Sequence, residues 1–120
     1  MSSNNRSPQR LMLELWQTEW CPASRRVRAR LTELGIDYVT RQVPVDKDER
    51  TLLRQRIGSD TIPALVLGDG TVAIGEETIL GYLDERNTEP PGAEAHRLKA
   101  AKARRRYLEE ECECLQPATR

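Results

Sequence analysis

Phenylalanine is absent from the 120 residues, and aromatic residues make up only 4%. Leucine, isoleucine, valine and alanine must therefore fill whatever core the chain builds. Net charge is lacking too: 19 basic and 19 acidic residues cancel. That excludes a global field able to gather nucleic acid or an anionic membrane, so any basic site has to be local. The longest uninterrupted apolar run, Ile62 to Leu67, contains a proline and falls far short of the ~20 residues a membrane helix needs. No apolar stretch in the first ten residues is suited to a signal peptide, and three cysteines cannot all pair within one chain. The expectation is a soluble protein of a reducing cytoplasm. Internal repeats are also missing. What is present is a 38% apolar, 32% charged chain, of a length that buries one domain's core without disulfides or metal.

Along the chain, residues 1–10 are polar and aperiodic, which predicts a disordered tail. Leu11 to Trp16 reads as a buried strand. Cys21-Pro22 then opens a helix over Ala23 to Leu34, with Val27, Leu31 and Leu34 on one face, proline in the first turn and Gly35 as the stop. Ile36 to Val43 is the second strand, ended by Pro44. A short polar helix opens at Asp46-Lys47-Asp48-Glu49, shows Leu52, Leu53 and Ile57 on its apolar face, and ends at Gly58. Thr61 to Leu67 and Thr71 to Ile74 flank Gly68-Asp69-Gly70 as a hairpin. Glu76 to Glu85 follows as a third helix with Ile79, Leu80 and Leu83 inward. The order β-α-β-α-β-β-α predicts an α/β fold with a mixed four-stranded sheet and a right-handed first crossover. It is expected to span residues 11–86, followed by a linker at 87–92, a charged C-terminal helix at 93–115 and a tail at 116–120.

Cys21 is the residue best placed for chemistry. A cysteine at the mouth of a helix feels the partial positive charge of unpaired backbone N–H groups, which stabilises thiolate and makes it a nucleophile toward disulfide sulfur. Ser24 offers a hydroxyl donor, and Arg25, Arg26 and Arg28 add positive charge in the first turns. The competing reading is a buried structural cysteine. Pro22 and the strand-to-helix boundary argue for exposure instead.

The run Trp20-Cys21-Pro22-Ala23-Ser24 resembles a glutaredoxin active site in its single-cysteine form. Thr61-Ile62-Pro63-Ala64 stands where glutaredoxins and glutathione transferase N-terminal domains carry a cis-proline loop, and the stretch through Tyr82-Leu83-Asp84 is similar to that family as well. The likeness covers residues 11–86. Thr18 and Trp20 before the cysteine also resemble the mycoredoxins, a subgroup that works with mycothiol. The resemblance implies a thioredoxin-like fold, catalysis by Cys21 with Ser24, and a thiol-binding surface of Trp20, Pro22, Ile62, Pro63, Glu76, Glu77 and Thr78. By statistics alone an Ile-Pro bond is trans; the resemblance implies cis, with the Ile62 backbone pairing strand-fashion with an extended thiol peptide. It further implies that the γ-glutamyl end of glutathione meets the helix start at Gly75-Glu76-Glu77-Thr78. Glutathione transferases usually show Glu-Ser there, and this chain has two glutamates. Those acids serve either as partners of an ammonium or as ordinary first-turn residues. The lysine that often precedes the cysteine in glutaredoxins is missing too.

In the C-terminal helix, Leu98, Ala101, Leu108, Cys112 and Leu115 follow a 3-4 apolar spacing broken by Arg105. The stripe can be buried on the chain's own domain or on a partner, giving a monomer or a weak homodimer. Cys112 and Cys114 point about 200° apart on a regular helix, which argues against a metal site. A resolving role for one of them requires the tail to fold back over Cys21. Arg104-Arg105-Arg106 precedes Glu109, Glu110, Glu111 and Glu113, a salt-bridged face whose order opposes the helix dipole. His96 lies in this tail and is assigned no catalytic role.

The function expected is that of a monothiol glutaredoxin-like oxidoreductase. It would act on mixed disulfides between proteins and a low-molecular-weight thiol, with glutathione or mycothiol as co-substrate and no tightly bound cofactor. Two alternatives stand: an iron–sulfur cluster carrier, with Pro22 departing from the glycine found after the cysteine in such proteins, or a non-catalytic binding module. A complete glutathione transferase is not expected from the short segment after the linker.

Overall fold

The structure, a computed structural model, describes residues 12–115, with side chains through residue 108. The expected tails at 1–10 and 116–120, the first strand's start at Leu11, and the side chains of Cys112 and Cys114 lie outside the described residues. Strand β1 (Leu13–Gln17) leads to helix α1 (Pro22–Glu33), strand β2 (Tyr38–Gln42), a 3₁₀ turn (Lys47–Glu49) and helix α2 (Thr51–Ile57). Strands β3 (Ala64–Val66) and β4 (Val72–Ile74), helix α3 (Glu76–Arg86) and helix α4 (Ala93–Leu115) complete the chain.

The sheet order is β2-β1-β3-β4. β1 and β2 run parallel, Leu15 opposite Thr40, whereas β1–β3 and β3–β4 are antiparallel. A parallel pair needs a crossover, and α1 supplies it. This is the thioredoxin-like α/β arrangement with a mixed four-stranded sheet and an added C-terminal helix.

Two apolar clusters cover the sheet. On one face Leu15 and Leu65, register partners on neighbouring strands, meet Val27, Leu31 and Leu34 from the α1 segment and Ile79 and Leu83 from α3. On the other face Leu53 of α2 packs with Val43 and Ala64, flanked by Trp16, Ile57 and Ile62. The alternation Leu15/Trp16 in β1 and Ala64/Leu65 in β3 is what sends side chains to opposite faces. No phenylalanine is needed, because branched aliphatics interdigitate from both helices.

The departures from the sequence expectation that matter most lie in three elements. The third strand is only Ala64–Val66, not Thr61 to Leu67. The Ile62–Pro63 peptide is cis and the chain before it bends rather than pairing. The second helix is split: Asp46 accepts from the Asp48 amide and caps a 3₁₀ turn, Arg50 leaves helical geometry at φ −86°, ψ 50°, and α2 begins only at Thr51. Gly58 ends α2 with φ +78°, the left-handed conformation glycine accepts most readily. The second strand is trimmed to Tyr38–Gln42, with Ile36 instead packed against the core beside Leu34.

Helix α4 meets the domain at its base. Ala93 is buried, and Arg97 reaches Glu33 of α1 and Glu89 of the connecting loop. Arg30 of α1 joins the same cluster, pairing with Glu33, Asp84 and Glu89. Every described side chain from Leu98 to Leu108 is exposed.

Candidate functional site

The chain leaves β1 at Gln17 and reaches α1 at Pro22, so the intervening residues lie at the sheet end where β3 begins. Trp16 is opposite Ala64 and Ala64 opposite Ile74. Hence the end of β1, the Ile62–Pro63 peptide and Gly75 share one edge of the sheet. Gly75 N–H donates to the Pro63 carbonyl at 2.8 Å, which joins the start of α3 to the cis-proline. Gly75 takes φ +94° to make that turn, a conformation glycine adopts without strain.

Cys21 is the N-cap of α1. Its extended backbone (φ −76°, ψ 121°) lets its carbonyl accept from Arg25 N–H at 3.0 Å, while the Ser24 amide donates to Sγ at 3.4 Å. Pro22 at the first helical position has no N–H to satisfy and presets the helical φ. The cysteine thus sits where a capping serine or aspartate is common, with its sulfur aimed at the orphan amides. Partial burial pushes the thiol up, but hydrogen bonding from Ser24, through both hydroxyl and amide, outweighs it. The Ala23 amide and the positive charge of Arg26 add to this, and the thiol ends below its ordinary value. Ser24 is fully buried, and its hydroxyl has no partner of standard hydrogen-bond geometry, so the amide at 3.4 Å is the contact that Ser24 makes with the Cys21 sulfur. Cys21 itself is half-buried and free, so the alternative of an enclosed structural cysteine does not describe it.

Two of the arginines in the first turns of α1, Arg26 and Arg28, have separate fates. Arg26 forms a two-point ion pair with Glu76, the first residue of α3, with Nη2 to Oε1 at 2.9 Å and Nε to Oε2. The pairing holds the Glu76 carboxyl below the usual range. Arg26 is also the arginine whose charge acts on Cys21. Arg28 turns the other way: its guanidinium donates to the Gln17 side chain and to the Thr18 carbonyl, and pairs with Glu19 at 3.5 Å. It braces the end of β1 rather than the thiol.

The remaining expected site residues are dispersed around this centre. Trp20 is 60% exposed beside Cys21, Pro22 is exposed, Ile62 is half-buried and Pro63 is buried. Glu77 and Thr78 are exposed on the first turn of α3. Glu76 is the acid already committed, to Arg26, whereas Glu77 is not held by a described ion pair. Among the described residues no group of three His, Cys, Asp or Glu side chains stands together as a metal site.

Two groups near this edge escaped the sequence reading. Gln17 is fully buried and links Arg28, Glu19 and Gln42. Arg50, 5% exposed, donates to the carbonyls of Pro44, Val45 and Asp60 and so braces the loop that leads to Ile62. Polar residues outside any apolar period carry no sequence signal of burial.

A cysteine capping the first helix of a thioredoxin-like domain, with a cis-proline at the same sheet edge, defines the class. The particular family follows from sequence: residues 15–91 match the family model of the glutathione S-transferase N-terminal domain, and the chain belongs to that family. Solved structures agree. A glutathione S-transferase from Rhodospirillum rubrum F11 is 29% identical, with a TM-score of 0.57, over 66% of this chain and 35% of that one. FzlA from C. crescentus is 28% identical with a TM-score of 0.61, over 68% of this chain and 37% of that one. Rice GST1 (OsGSTU1), solved in complex with glutathione, is 25% identical with a TM-score of 0.55, over 82% of this chain and 45% of that one. The chain therefore spans less than half the length of each. No curated protein sequence matches it. No helix among the described residues is long and apolar enough to cross a membrane.

Proposed function

We propose that the domain performs thiol–disulfide exchange in the manner of a monothiol glutaredoxin, through the Cys21 thiolate. The observation that carries this reading is the capping geometry, in which Ser24 N–H lies 3.4 Å from Sγ and the thiol is lowered below its ordinary value. Cys21 thiolate attacks the small thiol's sulfur in a protein mixed disulfide. The old S–S bond breaks, a new one forms to Cys21, and the departing protein thiolate takes up a proton from solvent. A second small thiol, as thiolate, then attacks the Cys21 mixed disulfide. It leaves as the oxidised small-thiol dimer and returns Cys21 to thiolate. The cycle needs one cysteine only, and Ser24 serves as donor rather than as a second redox centre.

Glutathione is the first co-substrate to test, because the rice relative and a glutathione S-transferase from Methylobacillus flagellatus were solved with it bound. Trp20, next to Cys21 in the chain, and Glu77 and Thr78 on the first turn of α3 are exposed and are the side chains proposed to contact it, with the Ile62 backbone pairing alongside. Mycothiol is the competing co-substrate.

The test is turnover of a glutathionylated or mycothiolated peptide by the wild type, by Cys21→Ser, and by a double variant with Cys112→Ser and Cys114→Ser. Loss of turnover only in Cys21→Ser supports the reading. Retained turnover in Cys21→Ser, or loss in the double variant alone, overturns it.

A further inference from the structure

Strand β2 is an edge of the sheet, and no described strand pairs with its outer side. Val43 N–H donates to the Gln17 carbonyl. Backbone groups alternate in direction along a strand, so those of Arg41 and Val39 also face β1, whereas the N–H groups of Thr40 and Gln42 point away from the sheet. Such an edge is a template for another strand unless something protects it. Nothing within Tyr38–Gln42 does: the segment holds no proline or lysine, and its register with β1 runs without a bulge. Its charged side chain is turned inward, Arg41 reaching Glu14 at 3.1 Å and lying over the Trp16 ring at 5.9 Å from the centroid. Val39 is left 38% exposed.

Beside this edge lies a trough of about 390 Å³ lined by Glu14, Trp16, Arg41, Leu52, Gln55 and Arg56. Its rim is both apolar and cationic. Leu52 is 70% exposed, and two guanidiniums share one carboxylate, Arg41 at 3.1 Å and Arg56 at 3.6 Å from Glu14. Glu14 also accepts from Trp16 Nε1 at 3.3 Å. The Arg56 fork makes no hydrogen bond among the described residues and has only that long ion pair.

We infer that β2 and this trough together take an extended segment of a protein partner, added as a fifth strand, with an acidic residue on the trough face and apolar residues two positions to either side. Main-chain hydrogen bonds to Thr40 and Gln42 hold the segment. Its carboxylate meets the surplus charge of Arg41 and Arg56, whose planar forks suit it. Its apolar neighbours lie toward Val39 and Leu52. Val39 and Arg41 share that face because they stand opposite Glu14 and Trp16 in the register. Two other occupants fit less well. A free small molecule needs walls that enclose it, and here Arg41 and Arg56 are about half exposed. A second copy of β2 would bring another Val39 and Arg41 to the same face, adding positive charge and no acid. The surface is independent of any chemistry at Cys21.

The experiment uses the full chain, isotopically labelled for NMR, and the synthetic peptide Thr-Val-Thr-Glu-Thr-Val-Thr, blocked at both ends, whose pattern is the same in either direction. Binding should shift the Arg41 and Leu52 resonances and slow hydrogen exchange at the Thr40 and Gln42 amides. A peptide with lysine in place of the glutamate should bind at least tenfold more weakly, and Arg56→Glu should erase that preference. Thr40→Pro removes an outward N–H where an edge strand tolerates proline, and should abolish binding with the fold intact by circular dichroism. Four results overturn the proposal: no shift with the glutamate peptide in excess, equal binding of both peptides by the wild type, binding without protection of Thr40 and Gln42, or tighter binding of naphthoate, which would make the trough a small-molecule site.

Discussion

Arg26 in the second turn of α1 and Glu76 at the head of α3 hold one another in a two-point ion pair, and the same Arg26 lends positive charge to Cys21. The two helix starts are thereby tied together beside the thiol, and the pair sets how much of the arginine's charge the sulfur feels. Glu76→Gln removes the competing anion, so the Cys21 thiol should titrate lower than in the wild type. Arg26→Gln removes the cation and should move it higher. Alkylation rate against pH, followed on Cys21 alone, gives both midpoints. Because the pair is exposed, each change in rate near neutral pH should be no more than about fivefold. Shifts in the same direction for both variants would contradict this assignment.

Ser24 has a different role, since its buried hydroxyl has no partner of standard hydrogen-bond geometry and is among the groups that lower the Cys21 thiol. Ser24→Ala removes that donor and leaves the amide in place. The thiol should rise toward its ordinary value, and the alkylation rate near neutral pH should fall several-fold. Stability should change little, because the hydroxyl has no other partner to lose. An unchanged pH profile, with the fold intact by circular dichroism, would remove Ser24 from the list of groups that stabilise the thiolate.

Local patterns in the sequence carried the architecture. Val27 and Leu31 mark the buried face of α1, and Cys21-Pro22 marks its start, because period and cap are both local properties. The candidate nucleophile was legible for the same reason. Pairings over long separations were not: nothing in the neighbourhood of Arg26 names Glu76, fifty positions on. Only the folded topology, with Pro63 held to Gly75, brings those helix starts together. The split of the second helix was hidden because Asp46 and the acids after it suit a 3₁₀ turn as well as an α-helix. The bend before Pro63 was visible only through the family resemblance, because by pattern alone Ile62 and Pro63 sit in an apolar run that reads as strand. The stripe on α4 was visible, but periodicity says which residues share a face and not what covers it.

Arg50 is the clearest residue of this hidden kind. Its guanidinium is buried and satisfied by three backbone carbonyls, of Pro44 at 2.8 Å, Asp60 at 2.9 Å and Val45 at 3.1 Å. It pins the loop after β2 to the loop before the cis-proline. Arg50→Ala should cost about 3 kcal/mol, the scale of losing hydrogen bonds from a charged donor. Arg50→Lys should recover only part of this, because a single ammonium cannot reproduce the planar fork. Urea midpoints at unchanged slope measure the difference. A loss within the range of an ordinary surface substitution, about 0.5 kcal/mol, would show that the loops hold without it.

The base of α4 should respond to acid. Glu89 accepts from Arg97 at 3.0 Å and from Arg30 at 2.6 Å, and these two arginines, Arg97 first, draw its carboxyl down to about 2. A carboxyl whose folded value is depressed contributes stability that is fully present above its unfolded value, about 4.3, and lost as the pH falls through the folded value. The anchoring of α4 to α1 should therefore be intact at neutral pH and weaken between about pH 4 and pH 2. Glu89→Gln removes the charge outright, so its melting temperature should lie below the wild type's at neutral pH and converge on it near the acid end. Melting curves of both proteins across that window test the sign. A gap between them that stays constant with pH would mean that the Glu89 charge does not hold the helix.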